Sequence, residues 1–188
     1  MNTAALNIQP PEQAAPARKL SFSIVNRDWN NHESLLDLVA AAHAESRYGD
    51  IPFSRDKARR HLETALNDQR RHFAAVAEVG GQVVGFVYAT VGEYWVGTGA
   101  LIVTINTIYT SKELRNSLLG GRAAVVLFRG VAKWAKGIGA REILVHVTSG
   151  IDEPRAKASL RHLGFNMGGS TFVSQLSMQT QRDMGEQR

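Results

Sequence analysis

Two apolar, partly alternating runs, 73–79 (FAAVAEV) and 82–88 (QVVGFVY), face each other across Gly80-Gly81. A two-residue loop of that composition belongs to the tight primed turns that join antiparallel strands. A third strand is expected over 101–109, after a Gly-rich bend at Gly97 and Gly99. The period then lengthens. Residues 122–136 read as a helix stopped by Gly137 and Gly139, and 142–147 reads as strand again. A hairpin followed by a strand–helix–strand crossover restricts the chain to a mixed α/β domain.

The remaining elements fill in around this frame. Residues 21–25 alternate as a short strand, and Asn31 is placed to cap a helix carrying Leu35, Leu36, Leu38, Val39 and Ala42 inward. A second helix starts after Ser54, with Ala58, Leu62, Ala65 and Leu66 on its inner face and Arg55, Lys57, Arg59, Arg60, Arg70 and Arg71 on its outer one. Residues 154–163 form a short helix closed by Gly164, and a last strand is expected near 170–176. The predicted order is β-α-α-β-β-β-α-β-α-β. Residues 1–20, with Pro10-Pro11 and Pro16, read as a flexible arm, 21–177 as a single domain, and 178–188 as a polar tail.

The chain has 188 residues, of which 44% are apolar, enough for one buried core. No run approaches the roughly 20 apolar residues of a membrane span, and Met1-Asn2-Thr3-Ala4 does not open a secretory signal, so the expectation is a cytoplasmic protein. Without cysteine there are no disulfides, thiolate nucleophiles or cysteine-based zinc sites. His32, His43, His61 and His72 lack i, i+4 carboxylate partners, so no metal site is expected. The net charge of +5 comes from 16 Arg and 6 Lys against 17 acidic residues. Arginine's planar fork suits phosphate and carboxylate, and lineage bias explains the count as readily. Arg55, Arg59, Arg60, Arg70 and Arg71 are either a solvated helix face or a contact for an acidic protein or nucleic acid.

The segment 108–122 (IYTSKELRNSLLGGR) joins a buried strand to a long helix. Free backbone N–H groups and the positive end of the helix dipole converge at such a junction. Gly120 and Gly121 would let the main chain approach a diphosphate, and Arg115 and Arg122 could pair with its charge. A plain helix start after a Gly-Gly turn fits the same spacing.

This stretch resembles the signature of the GCN5-related N-acetyltransferases, phage and bacterial type: Arg/Gln-x-x-Gly-x-Gly/Ala after the fourth strand. Arg115 stands at its first position, Gly120 at its last, and Leu118 replaces the central glycine; a register using Gly121 and Ala123 is also open. Residues 139–147 (GAREILVHV) are similar to the family's fifth strand and 156–165 (AKASLRHLGF) to its fourth helix, while Glu45-Ser46-Arg47-Tyr48 with Pro52-Phe53 is similar to its acceptor-side loop. The resemblance implies a mostly antiparallel mixed sheet flanked by helices, with an opening between the fourth and fifth strands that holds acetyl-CoA. It further implies that the pantetheine arm pairs with main-chain groups of Ile108, Tyr109 and Thr110. The diphosphate would rest on Arg115, Asn116, Ser117, Leu118, Leu119, Gly120 and Gly121, with Arg122 beside it. A strand N–H near Ile108 would polarise the acyl carbonyl.

The activity implied is direct transfer of an acetyl group to an amine, with a base for the amine's proton and an acid for the leaving thiolate. No cysteine could carry an acyl intermediate. The position from which the family often supplies the acid, a tyrosine, is Leu160 here, leaving Tyr109, His162 or water. Glu45 and Glu93 are the candidate bases. His146, between two valines, reads as a packed or edge histidine, and Tyr94 and Trp95 as either core or a wall of the acceptor pocket. The acceptor is left open between a small molecule and a macromolecule, and a homodimer is left open too. The alternative is a catalytically degenerate member of this fold that binds CoA, a protein or nucleic acid without chemistry.

Overall fold

The computed structural model describes residues 19–147 and 149–168. Gly80 and Gly81 both have positive φ, 59° and 82°, the pair of left-handed residues a type I′ turn requires. They join β2 (His72–Val79) to β3 (Gln82–Glu93). β1 (Leu20–Ile24) pairs antiparallel with β2, β4 (Leu101–Thr110) pairs antiparallel with β3, and β5 (Glu142–Val145) runs parallel to β4. The sheet order is β1-β2-β3-β4-β5. This is the mixed, mostly antiparallel sheet expected, and it starts at Leu20, one residue before the expected domain boundary. Residues 1–18 of the expected arm, the expected strand at 170–176 and the tail at 178–188 lie outside the described residues.

Helices cover both faces. On one lie α1 (His32–Glu45) and α2 (Arg55–Asn67), burying Leu35, Leu62 and Ala65 against Val76, Phe86 and Tyr109 of the sheet. On the other lies α4 (Leu118–Gly137), whose Ala123, Leu127 and Val131 are fully buried against Ala77, Val87 and Val103. Two glycines let α4 settle there. A Cβ on Gly130 would meet the Phe22 ring at 2.5 Å, and one on Gly85 would meet Leu127 at 3.3 Å. α3 (Lys112–Arg115) bridges β4 to α4, and α5 (Glu153–His162) follows β5, with Leu160, Leu163 and Phe165 packed on the α4-side core. Among the described residues no helix is long and apolar enough to cross a membrane.

Several local expectations need correction. Asn31 occupies the N-cap of α1, yet its side chain makes no cap bond to the helix backbone; Oδ1 accepts from the Ser34 hydroxyl instead. Ser54 does cap α2, accepting from the Lys57 N–H. α4 begins at Leu118 rather than 122, because Ser117 supplies the N-cap and the two glycines are absorbed into the first turn. β5 ends at Val145, so His146 stands beyond the strand and is exposed. Arg70 and Arg71 follow the end of α2, in a turn where Asp68 accepts from the Arg71 N–H. Arg55 and Arg59 face α1, where Arg55 pairs with Glu33 and Asp37 and Arg59 with Glu33. Two of the six cations expected on this face are thus paired within the fold, and Glu33 is held down to about 2 by hydrogen bonds from Arg59 and Arg55.

Leu127 lies where α4, β2 and β3 meet, with no accessible surface. Leu127→Ala should cost about 2–5 kcal/mol, read as a lowered midpoint in urea unfolding followed by circular dichroism.

Candidate functional site

The site originates in a mismatch of strand lengths. β5 pairs with β4 only from Ile102 to Ile105, through Glu142 to Val145. From Asn106 onward β4 keeps β3 as its partner, through Thr107↔Tyr88, Ile108↔Val87 and Tyr109↔Phe86, while its other edge is unpaired in the sheet. Asn106 is the extra residue of a bulge, since Ala89 pairs with Ile105 and Tyr88 with Thr107. A bulge swings the strand and strengthens its twist, which parts β4 from β5. The chain leaving β5 then passes to the α1 side, where the Arg47 N–H donates to the Ser149 carbonyl at 2.7 Å and Ile151 packs in that core.

β4 runs directly into a helix start. Ser117 caps α4 by accepting from the Gly120 N–H at 3.1 Å, and its carbonyl accepts from the Gly121 N–H. The N–H groups of Leu118 and Leu119 have no hydrogen-bond partner among the described residues, so two donors and the positive dipole end remain for an anion. The two glycines serve different ends. A Cβ on Gly120 would lie 2.0 Å from the Leu114 carbonyl oxygen, so this glycine lets α3 and α4 meet. Gly121 is exposed, with nothing near an added Cβ, so it leaves approach space open. The Leu118 side chain is 91% exposed and points away from the fold. Arg122 and Asn116 are exposed beside it, and Arg155 of α5 donates to the Asn116 side chain, tying α5 to this corner.

Three of the predicted site residues form one cluster. The Tyr109 hydroxyl donates to Glu45 Oε1 at 2.6 Å, and Arg115 pairs with Glu45 Oε2 at 2.5 Å. The Arg115 guanidinium lies 5.2 Å from the Tyr109 ring centroid and also donates to its hydroxyl at 3.2 Å. The cluster ties the end of α1 to β4 and α3. Arg115 is turned inward, so its charge is spent on Glu45 rather than offered at the α4 N-terminus. Burial raises the Glu45 carboxyl, but hydrogen bonds from Tyr109 and Arg115, with the charge of Arg115, outweigh it and leave the group below its ordinary value. Tyr109 is pushed up to about 12, by burial first and then by its bond to Glu45. A carboxylate of lowered basicity and a phenol of lowered acidity are poorly matched to proton transfer near neutrality.

The other predicted catalytic residues stand apart from this cluster. Glu93 ends β3 opposite Leu101, whereas Tyr109 lies opposite Phe86, so seven residues, about 23 Å of strand, separate them along the sheet. His162 is exposed in the last turn of α5. Leu160 is packed on the core, so nothing at that position offers a proton.

Sequence reasoning missed the most suggestive pair. The His72 Nδ1 and Tyr88 hydroxyl are 2.8 Å apart with their rings stacked, and His61 of α2 lies 6.2 Å from the Tyr88 ring. Tyr88 is opposite Thr107, next to the bulge, and Thr90 Oγ1 bonds Asn106 Oδ1 at 3.0 Å. Only strand register brings these residues together, and the spacing of histidines along the chain carries no sign of it.

No family model and no curated protein matches the sequence. Solved structures do match in shape. An aminoglycoside N-acetyltransferase, AAC(6')-Iy in complex with CoA, superposes with a TM-score of 0.63 at 15% identity, over 87% of this chain and 99% of its own. A ribosomal-protein-alanine N-acetyltransferase from Brucella melitensis biovar Abortus 2308 gives 0.59 at 20% identity, over 84% and 99%. The fold is that of the GCN5-related N-acetyltransferases. A transcriptional regulator from Bacillus halodurans C-125 also matches, with a TM-score of 0.61 at 17% identity, over 84% and 100%.

The Glu45 cluster has a measurable consequence. A carboxyl lowered in the folded state contributes stability that is complete above its unfolded value, near 4.5, and is lost as pH falls through the folded value. Glu45→Gln should therefore lower stability by about 1–3 kcal/mol at pH 7. The difference from wild type should shrink as pH falls below about 4.5, as measured by urea midpoints across a pH series.

Proposed function

We propose that the chain is an acetyl-CoA-dependent N-acetyltransferase that moves the acetyl group directly to an amine. The observation that carries this reading is the continuity of the unpaired β4 edge, 106–110, with two unbonded N–H groups and the open Gly121 at the start of α4. An extended amide-bearing arm fits an unpaired strand edge, and a diphosphate fits a helix N-terminus. Main-chain groups of Ile108, Tyr109 and Thr110 would hold the pantetheine. The N–H groups of Leu118 and Leu119 would hold the diphosphate, Gly121 would leave room for its approach, and Arg122 would be the nearby cation. Acetyl-CoA supplies a thioester carbonyl already activated toward an amine.

In this reading Glu45, Tyr109 and Arg115 hold the α1 end against β4 and shape the acceptor side, rather than exchanging protons. The proton released as the amine nitrogen forms its bond to the acyl carbon passes to the Tyr88 oxygen while the Tyr88 proton moves to His72 Nδ1. The 2.8 Å contact between those atoms supports this route. The C–S bond breaks as the C–N bond forms, and the thiolate takes its proton from solvent, since Tyr109 commits its own to Glu45. The chemistry needs no acyl-enzyme.

Calorimetric titration with acetyl-CoA tests the reading, and Gly121→Asp sharpens it. An aspartate in the first turn suits the helix dipole, so the fold should persist, while its charge opposes a diphosphate. The variant should retain its melting temperature and lose at least about tenfold in affinity, about 1.4 kcal/mol. Absence of wild-type binding at millimolar acetyl-CoA overturns the proposal. Binding without turnover of any amine would instead support the non-catalytic alternative. For the proton route, Tyr88→Phe and His72→Gln should each lower kcat by about 100-fold or more while leaving acetyl-CoA affinity in place. Unchanged kcat in both would remove the pair from the mechanism.

A further inference from the structure

Helix α4 carries four cations and no acid among its 20 residues. Arg122, Arg129, Lys133 and Lys136 fall within about 60° of its circumference, opposite the fully buried Leu127 and Val131. They form one row of about 21 Å along the outer side of the helix. All four are exposed, and none makes an ion pair among the described residues. The opposite face of the molecule is built differently, for there Arg55 and Arg59 are matched by Glu33 and Asp37.

The elements beside α4 supply little opposite charge. Strand alternation puts Glu78 and Glu142 on the other side of the sheet, since Ala77, Val79 and Ile143 pack in the α4-side core. That leaves Glu93, the last residue of β3, as the strand acid on the α4 side. On one flank Gly130 meets the uncharged Phe22 of β1. On the other, α5 docks through Phe165 on Phe128, with ring centroids 5.8 Å apart. There Lys157 takes up Glu153 at 3.5 Å, while Arg155 and Arg161 have no carboxylate partner among the described residues.

A rigid row of unpaired cations with no acid between them is complementary to a regular array of phosphates. From Arg129 to Lys136 the large apolar side chains, Val131 and Trp134, are turned to the core, with Trp134 stacked on Phe73. Nothing is left to enter a bilayer, and no ring is left to stack on unpaired bases. The row also lacks any Ser, Thr, Asn or Gln to engage the 2′-hydroxyls of an RNA duplex. We propose that the outer face of α4 binds the phosphate backbone of duplex DNA through Arg129, Lys133 and Lys136. Because α4 is embedded between β1 and α5, it lies across the backbone and does not enter the major groove, so binding is independent of base sequence. The inference does not rest on the acetyltransferase reading, and Arg122 stays with the diphosphate.

The test is fluorescence anisotropy of a labelled, mixed-sequence DNA duplex titrated with the full chain at several salt concentrations. Three phosphate contacts predict a slope of about −2.7 in log affinity against log salt, a loss of about 40-fold between about 50 and 200 mM. The triple variant Arg129→Gln, Lys133→Gln, Lys136→Gln should keep its melting temperature, lose most of that slope, and bind at least about 30-fold more weakly at about 50 mM salt. A second triple variant, Arg60→Gln, Arg70→Gln, Arg71→Gln, removes the same net charge from the α2 side and should change affinity by less than about threefold. Absence of wild-type binding at low salt, or equal losses in the two triple variants, overturns the inference. So does stronger competition by single-stranded DNA, duplex RNA or anionic phospholipid vesicles than by unlabelled duplex DNA at equal phosphate concentration.

Discussion

Strand β4 has partners on both sides for only part of its length, and the arrangement of the candidate site depends on that. From Ile102 to Ile105 it pairs with both β3 and β5; from Asn106 no strand among the described residues pairs on the β5 side, because β5 stops at Val145 and the bulge has already turned the strand. An unpaired edge within a folded domain is a standing demand for hydrogen-bond partners. Here the demand is placed against the start of α4, where two further N–H groups are also unpaired. Backbone geometry, more than any side chain, defines the ligand that fits.

The Glu45–Tyr109–Arg115 cluster supports that geometry. A largely buried carboxylate, phenol and guanidinium bond one another, although Arg115 Nε is buried without a partner among the described residues, and breaking the group would leave a charge without its partner in a poorly solvated place. The same bonding that fixes α1 against β4 lowers the basicity of Glu45 and, together with burial, the acidity of Tyr109. His72 and Tyr88, linked across strands at 2.8 Å, stand apart from this cluster.

Much of the fold was legible in the sequence because its signals are local. Gly80-Gly81, the cap at Ser54 and the stop at Gly164 each act within a few residues, and the crossover follows from the change of period after β4. The start of α4 was misplaced because glycine weighs against helix, whereas the Ser117 cap and the contact of Gly120 with Leu114 outweigh that local preference. The ion pairs of Arg55 and Arg59 were not legible for a similar reason. Glu33 and Asp37 lie some 20 residues away in sequence and meet Arg55 and Arg59 only when the helices pack.

By itself the sequence determined the element order, the hairpin, the absence of thiol chemistry and the resemblance that pointed to an acetyltransferase fold. The first three depend on periodicity, turn chemistry and composition and the resemblance on short motifs, all of them written along the chain. Tertiary structure alone decided that Glu45, Tyr109 and Arg115 bond one another, that Glu93 lies at the far end of the sheet, and that Tyr88 meets His72 beside the bulge. Those facts depend on strand register and helix docking, where residues 16 to 70 positions apart become neighbours. No pattern confined to one segment could encode them, because a one-residue slip in register would turn each side chain to the opposite face.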